Sequence, residues 1–230
     1  MERKYYEAYD ERYRQIHRQD LQWFYDDPTP IIGLILKEFA ITQEAKILEL
    51  GCGEGRDAYP LLRHRYNLLA TDISAEAIVY AQKKWPEFAG NFAVLDCVEG
   101  IMEDKFHFIY AVGVLHMLVK DSDRDGFYKF IRDHLMPGGV ALICTIGDGM
   151  AERQTDIRTA FDLQKRIHEQ TGKQVQIAST SCRTVSFDTI HKELARNRLI
   201  LIKEGITSAP PDFPMLMYVV VKGQDKKISK

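Results

Sequence analysis

The chain has 230 residues, 45% of them hydrophobic and 28% charged, with a formal net charge of -2. That length buries one substantial core, as one domain with or without appendages, and the composition is that of an ordinary globular protein. Acidic and basic residues are interspersed, so the broad basic footprint of a nucleic-acid binder is missing and no nucleic-acid partner is expected. Cys52, Cys97, Cys144 and Cys182 are widely separated, which excludes a C-x-x-C metal pair and a dense disulfide framework, and no metal site is expected. Met1 to Tyr5 lacks the apolar segment of a signal peptide, and no stretch has the apolar length of a membrane span. The expectation is a cytoplasmic protein with no membrane partner.

In chain order, residues 1–43 form an N-terminal helical segment rich in aromatics. Tyr5, Tyr9 and Tyr13 recur every four residues and share one helix face, and Trp23, Phe24 and Tyr25 follow. This segment either packs on the domain or acts as a lid over a ligand. Asp27-Pro28-Thr29-Pro30 breaks the chain, and Ile31 to Phe39 reads as an amphipathic helix.

Residues 44–146 carry the central pattern. Ile47, Leu48 and Leu50 run into Gly51, Gly53 and Gly55, and Ala58, Leu61 and Leu62 resume at helical spacing, which reads as strand, tight turn and helix. Glycine reaches positive φ without a Cβ penalty and lets a ligand approach the bare backbone. A helix opening at about Arg56 aims its free N–H groups at the same place. Leu68 to Asp72 is a second strand, with Ser74 as N-cap of a helix that Pro86 stops. Phe92 to Leu95 is a third strand ending beside Asp96, and Phe106 to Val112 a fourth, apolar enough to be covered on both faces. A helix from about Asp123 to Leu135, the turn Met136-Pro137-Gly138-Gly139 and a fifth strand, Val140 to Ile146, complete the alternation. That alternation predicts an α/β protein: a doubly wound, mostly parallel sheet with helices on both faces and its site at the carboxyl ends of the strands.

Residues 147–183 depart from it. Thr155 to Gln170 reads as a helix through Ile157, Phe161 and Ile167, and Gln174 to Thr180 as a short strand. The segment is either a decorative insertion or a cap over an acceptor pocket. Over residues 184–222, Ser186 caps a helix through Arg196, and Leu199 to Lys203 and Met215 to Val221 are the last two strands. Gly223 to Lys230 is a polar tail expected to fray.

Asp72 stands about 20 positions after Gly51, where a strand-end carboxylate can accept both hydroxyls of a ribose. The alternative is a helix N-terminal acid beside Ser74. Asp96 is either a partner for an adenine amino group or a polar strand-end residue. The dinucleotide fingerprint G-x-G-x-x-G would place its third glycine where Arg56 stands, which counts against a nicotinamide dehydrogenase.

The turn is instead acidic-x-G-x-G-x-G from Glu49. Together with Leu69-Ala70-Thr71-Asp72, Val94-Leu95-Asp96-Cys97, Phe108 to Leu118 and Leu135-Met136-Pro137-Gly138-Gly139, it resembles the core of class I S-adenosylmethionine-dependent methyltransferases. The Gly-x-Gly-x-Gly-Arg-Asp form also looks loosely like the thiopurine and tellurite-resistance type. The resemblance implies one methyltransferase domain with a seven-stranded sheet whose last strand is antiparallel. It implies that the cofactor is S-adenosylmethionine, with Glu49, Gly51 and Gly53 near its methionine portion. Asp72 would then lie at the ribose, Asp96 and Cys97 at the adenine, and Val112 and Gly113 near the amino group, with Cys52 and Ile73 also among the cofactor-binding residues. Arg56 is either a charge partner for the cofactor carboxylate or turned to solvent. Many relatives begin strand four with Phe-Asp where this chain has Phe106-His107, a swap expected outside the pocket.

His116 follows strand four where the methyl acceptor should lie, as a candidate base or as a packing residue. Asp148, Tyr9, Tyr13 and Trp23 are further acceptor-side candidates. The expected partner is a small-molecule methyl acceptor. Alternatives are a protein or RNA methyltransferase, or a binding module for the same cofactor without methylation activity. The acceptor atom and the oligomeric state are left open.

Overall fold

The computed structural model describes residues 3–224; Met1, Glu2 and residues 225–230 of the polar tail lie outside the described residues. The N-terminal part holds α1 (Ala8–His17) and α2 (Pro30–Glu38). The alternating core is β1 (Ile47–Leu50), α3 (Ala58–Arg63), β2 (Leu68–Asp72), α4 (Ala75–Lys84), β3 (Phe92–Val94), β4 (Phe106–Val112), α5 (Asp121–His134) and β5 (Leu135–Ile146). Then come β6 (Arg153–Gln154), β7 (Leu163–Ile167), β8 (Gln174–Ala178), β9 (Arg183–Thr184), α6 (Phe187–Arg196), β10 (Leu199–Ala209) and β11 (Phe213–Gly223).

Seven strands form one sheet in the order β10-β11-β5-β4-β1-β2-β3. Six run parallel, and β11 is antiparallel to both its neighbours, β10 and β5. Strand side chains alternate between the two faces, so Phe108 and Tyr110 of β4 pack with Ile31 and Ile35 of α2 and Ile78 of α4. Ile109 and Ala111 point the other way, into Phe127 and Ile131 of α5 and Ile190 and Leu194 of α6. The expected turn Met136–Gly139 is present as a bulge in β5: pairing passes from Phe106↔Leu135 to Phe108↔Val140, with Gly138 at φ 78°.

Three differences from the sequence expectations bear on the site. The helix after the glycine turn opens at Ala58 rather than Arg56 and is six residues long. The last two strands are longer than expected, and Asp212 in the short link between them and Phe213 at the start of β11 reach the carboxyl edge of the sheet. The expected helix over Thr155–Gln170 is absent. Its place is taken by a 3-10 turn at Ile157–Thr159 and by β7, which pairs with β8 from Leu163↔Ala178 to Ile167↔Gln174. Val175 and Ile177 of β8 are buried against Ile16 and Leu21, which fixes β8 as a strand and leaves it an edge for β7 to pair. The apolar Leu163 and Ile167 remain 56% and 61% exposed, so their spacing does not mark a buried helix face.

The N-terminal segment packs across the strand ends. Asp10 accepts from Ser74 Oγ at 2.8 Å and from the Glu76 N–H at 3.1 Å, tying α1 to the start of α4. Tyr9 Oη donates to Ser181 O at 2.7 Å, and Tyr5 Oη accepts from Val119 N at 2.8 Å. Among the described residues no helix is long and apolar enough to cross a membrane.

Candidate functional site

At the carboxyl ends of β1, β2 and β4 a cleft opens between the glycine turn and the roof formed by α1. Gly51 and Gly53 have φ of 74° and 53°, and the Gly51 and Cys52 N–H groups both donate to Thr71 O, at 2.7 and 2.9 Å. A Cβ on Gly51 would lie 2.2 Å from Val114 Cγ2, and one on Gly53 would lie 2.5 Å from the Tyr13 hydroxyl. The turn is therefore closed below by Val114 and above by Tyr13, and no larger residue fits either position.

Asp72 sits on the cleft wall, 8% exposed. One carboxylate oxygen accepts from Gly53 N and the other from Ser74 N, both at 2.8 Å. Burial pushes its pKa up to about 6 against the pull of those N–H groups, and the Asp10 carboxylate adds to the rise. Glu49 lines the same cleft, accepts from Tyr110 Oη at 2.9 Å, and is held well above the usual carboxylate range by burial and by neighbouring Asp57.

Cys52, Ile73, Cys97, Val112 and Gly113 also line the cleft. Arg56 lines it as well and is not turned to solvent. Its guanidinium donates to Asp212 at 3.2 Å and to Thr29 Oγ1 at 3.0 Å, below the rings of Phe24 and Phe213.

Of the two readings of Asp96, the structure shows a strand-end residue held by its own turn and by Lys4. Its Oδ2 accepts from Lys4 Nζ at 2.7 Å and its Oδ1 from Val98 N at 2.8 Å, and the side chain does not line the cleft. Leu95 and Cys97 on either side do. His107 is exposed and its Nδ1 accepts from Lys46 N at 3.0 Å, away from the cleft.

A second chamber continues from the cleft past Phe24, Met117 and Phe213 and is lined by Tyr9, Arg12, Trp23 and His116, with β7 on its far side. Asp148 is not there. It lies in a separate depression beside Thr184 and Met215, where it accepts from Met150 N and Ala151 N, both at 2.8 Å.

His116 is 5% exposed and its Nδ1 is sealed without a hydrogen-bond partner. Burial, with the positive charges of Arg12 and Arg124, pushes its pKa down to about 3. The ring is therefore held neutral at neutral pH, and of the two expected roles the burial and the sealed Nδ1 fit the packing residue more readily than the base. Its Cε1–H resonance is expected to stay at one shift from about pH 8 to about pH 5. A titration step near the ordinary imidazole value would contradict this assignment.

Glu54, Arg12 and Phe213 escaped the sequence reading. Glu54, 3% exposed, accepts from Trp23 N at 2.7 Å, Phe24 N at 3.0 Å and the His17 ring, which clamps the aromatic segment onto the glycine turn. The glutamate follows Gly53 in a turn already singled out, but its partners lie about 30 residues away and leave no local signal. Among the described residues no group of His, Cys, Asp and Glu is arranged to hold a metal ion.

The family model described as a methyltransferase domain matches residues 48–141. No curated protein matches the chain. Among solved structures, the chain is similar to the 1,6-didemethyltoxoflavin-N1-methyltransferase of Burkholderia thailandensis, with 16% identity, a TM-score of 0.69 and coverage of 98% of this chain and 92% of that one. It is also similar to an S-adenosylmethionine-dependent methyltransferase of Clostridium acetobutylicum, at 17% identity, a TM-score of 0.63 and coverage of 95% and 98%. The glycopeptide N-methyltransferase MtfA is 17% identical, with a TM-score of 0.63 and coverage of 87% and 96%. The chain thus has the class I methyltransferase fold, with a sequence match to the methyltransferase-domain family over residues 48–141.

Proposed function

We propose that the protein transfers a methyl group from S-adenosylmethionine to a small-molecule acceptor. The observation that carries this reading is the buried Asp72 carboxylate beside a glycine turn, at one end of a cleft whose other end opens into an aromatic-walled chamber. Each Asp72 oxygen accepts one backbone N–H and keeps a lone pair for a ribose hydroxyl. Leu95 and the Cys97 backbone are left to meet the adenine, because Lys4 occupies Asp96. Gly51, Gly53 and Glu49 would flank the methionine portion, with Cys52 beside them, Ile73 against the ribose, and Val112 and Gly113 at the turn into the chamber. Arg56 places a cation at that end, although Asp57 and Asp212 already neutralise much of it.

The cofactor supplies a methyl group on a sulfonium. A nucleophilic atom of the acceptor forms the new bond as the carbon–sulfur pair returns to sulfur, leaving S-adenosylhomocysteine. With His116 neutral, what the chain contributes is alignment of donor and acceptor and exclusion of water by the α1 roof, and alignment alone accelerates such a displacement. The α1 roof and β7 wall the chamber on two sides, which favours a small acceptor over a protein or RNA. Two similar structures support the reading: that of the Burkholderia enzyme has 1,6-didemethyltoxoflavin and S-adenosylhomocysteine bound, and that of MtfA is complexed with S-adenosylmethionine. The likeness of the turn to thiopurine and tellurite-resistance enzymes adds no substrate, because the glycine turn does not line the chamber.

The test is calorimetric titration with S-adenosylmethionine, S-adenosylhomocysteine and NADH, followed by an assay for S-adenosylhomocysteine release with a panel of aromatic acceptors. Binding of the two adenosyl ligands alone, with product formed from some acceptor, is the expected result. Binding without product across the panel would instead favour a module that only holds the cofactor, and failure of both adenosyl ligands to bind would end the reading.

A further inference from the structure

Two guanidinium groups face the second chamber without a carboxylate partner. Arg12 is 8% exposed and lies 5.1 Å from the Trp23 ring and 5.4 Å from the Tyr9 ring. Its Nε and Nη2 donate to Ala178 O at 3.1 and 2.9 Å, and Nη2 also reaches Ser179 O and Thr180 Oγ1, both at 2.6 Å. All of these partners are uncharged, and Nη1 has no partner among the described residues. Arg166, on β7, lines the same chamber, its guanidinium makes no hydrogen bond or ion pair among the described residues, and it repels the Arg12 charge. Of the acids facing the chamber, Asp212 is engaged by Arg56 at 3.2 Å, and Glu169 forms no ion pair with either arginine. His168 has both ring nitrogens occupied, by Thr171 Oγ1 at 2.9 Å and Gln22 O at 2.7 Å. A buried cation with no counter-charge is costly, and here the buried Arg12 and the exposed Arg166 face one space walled by Trp23, Phe24 and Phe213.

His116 adds a second unpaired group to the same wall. Its Nδ1 is sealed, so a proton there would be a buried donor without an acceptor. The proton therefore belongs on Nε2, and the neutral ring offers a donor, not a base, to whatever occupies the chamber.

Resting on the methyltransferase reading above, we propose that the methyl acceptor is a planar aromatic or heteroaromatic carboxylate. Its acid group sits between Arg12 and Arg166, and its ring lies among Trp23, Phe24 and Phe213. A guanidinium pairs a carboxylate through parallel N–H bonds, and the flat indole and phenyl faces suit a flat ring.

The probes are a naphthalene-carboxylate and the matching naphthalene-carboxamide, titrated calorimetrically into the full chain with and without saturating S-adenosylhomocysteine. The carboxylate is expected to bind about ten-fold more tightly than the amide or better. Arg166→Gln is expected to bring the two within about two-fold while leaving the affinity for S-adenosylhomocysteine unchanged. Arg166 is the residue to vary because it is exposed, whereas Arg12 also ties α1 to the end of β8. Equal binding of the two probes, no binding of the carboxylate, or a charge preference that survives Arg166→Gln overturns the proposal. The titration without S-adenosylhomocysteine keeps the two readings apart. If that ligand fails to bind, the cofactor cleft is wrong, and a carboxylate preference that depends on Arg166 still supports an anion chamber.

Discussion

Asp72→Ala is expected to weaken binding of S-adenosylhomocysteine by a factor of about 10² to 10⁴ in a protein that remains folded. The carboxylate is fixed before any ligand arrives, each oxygen on a separate backbone N–H at 2.8 Å, and its open lone pairs face the cleft. Two ribose hydroxyls donating to it are two charge-assisted bonds at about 1.5–3 kcal/mol each, and each 1.4 kcal/mol is about ten-fold in affinity. Truncation also leaves the Gly53 N–H unpaired at the turn the ligand must touch. The same carboxyl sets a pH dependence. Its pKa in the free protein is pushed up to about 6 by burial, so it is largely ionised at pH 7 and increasingly protonated as the pH falls below 6. A protonated carboxyl accepts one fewer hydroxyl and loses the charge, so affinity should be flat above about pH 7 and fall by up to about ten-fold per unit below about pH 6. Calorimetry at about pH 5.5 in two buffers of different ionisation enthalpy should show proton release on binding. Affinity that stays level from pH 7.5 to 5 in the parent protein, or that is unchanged in a folded Asp72→Ala variant, would remove the ribose role.

The parts of the molecule legible in the sequence are those set by local pattern. Strands β1, β2 and β4 read correctly because continuous apolar runs ended at glycine or acidic residues, and the Gly51–Gly55 turn because its residues meet a backbone requirement that shows in their identity. The misread helix over Thr155–Gln170 shows the limit of that method. The true strand there, Leu163–Ile167, is exposed on both sides and exists because β8 presents an edge, while β8 is fixed by contact with Ile16 and Leu21 about 150 residues earlier. The local sign was the Thr171-Gly172 turn between 163–167 and 174–178, with Gly172 at φ 69°. The ion pair of Asp96 leaves no local sign, because Lys4, its partner, lies 92 positions away. Arg12 and Arg124 were invisible as buried charges for the same reason, since sequence pattern treats an arginine as a solvated residue unless the fold supplies its acceptors.

Glu193→Ala should be the most damaging single truncation outside the cleft, costing about 3–5 kcal/mol of stability. Glu193, 2% exposed on α6, accepts from Arg124 Nε and Nη2, both at 2.7 Å, and from Tyr128 Oη at 2.9 Å. Arg124 on α5 is fully buried, so removing the carboxylate strands a guanidinium in the core with no water to replace its partner. For a chain of this length that corresponds to a fall in Tm of roughly 10 °C or more. The effect should reach the site as well, because Arg124 Nη1 donates to Leu115 O at 2.9 Å and Leu118 O at 3.4 Å, the carbonyls that bracket the turn carrying His116 and Met117. Replacing the pair by apolar residues, Arg124→Met with Glu193→Leu, should recover much of the loss in stability, since a buried ion pair exchanged for packed side chains is often neutral. It should not restore the chamber, because the backbone acceptors at Leu115 and Leu118 would still lack their donor. Urea unfolding followed by fluorescence of Trp23 and Trp85 gives the stability cycle, and binding of the naphthalene-carboxylate gives the state of the chamber. If Glu193→Ala loses less than about 1 kcal/mol, Arg124 has found another partner or reached water, and the pair does not hold the helices and the His116 turn together.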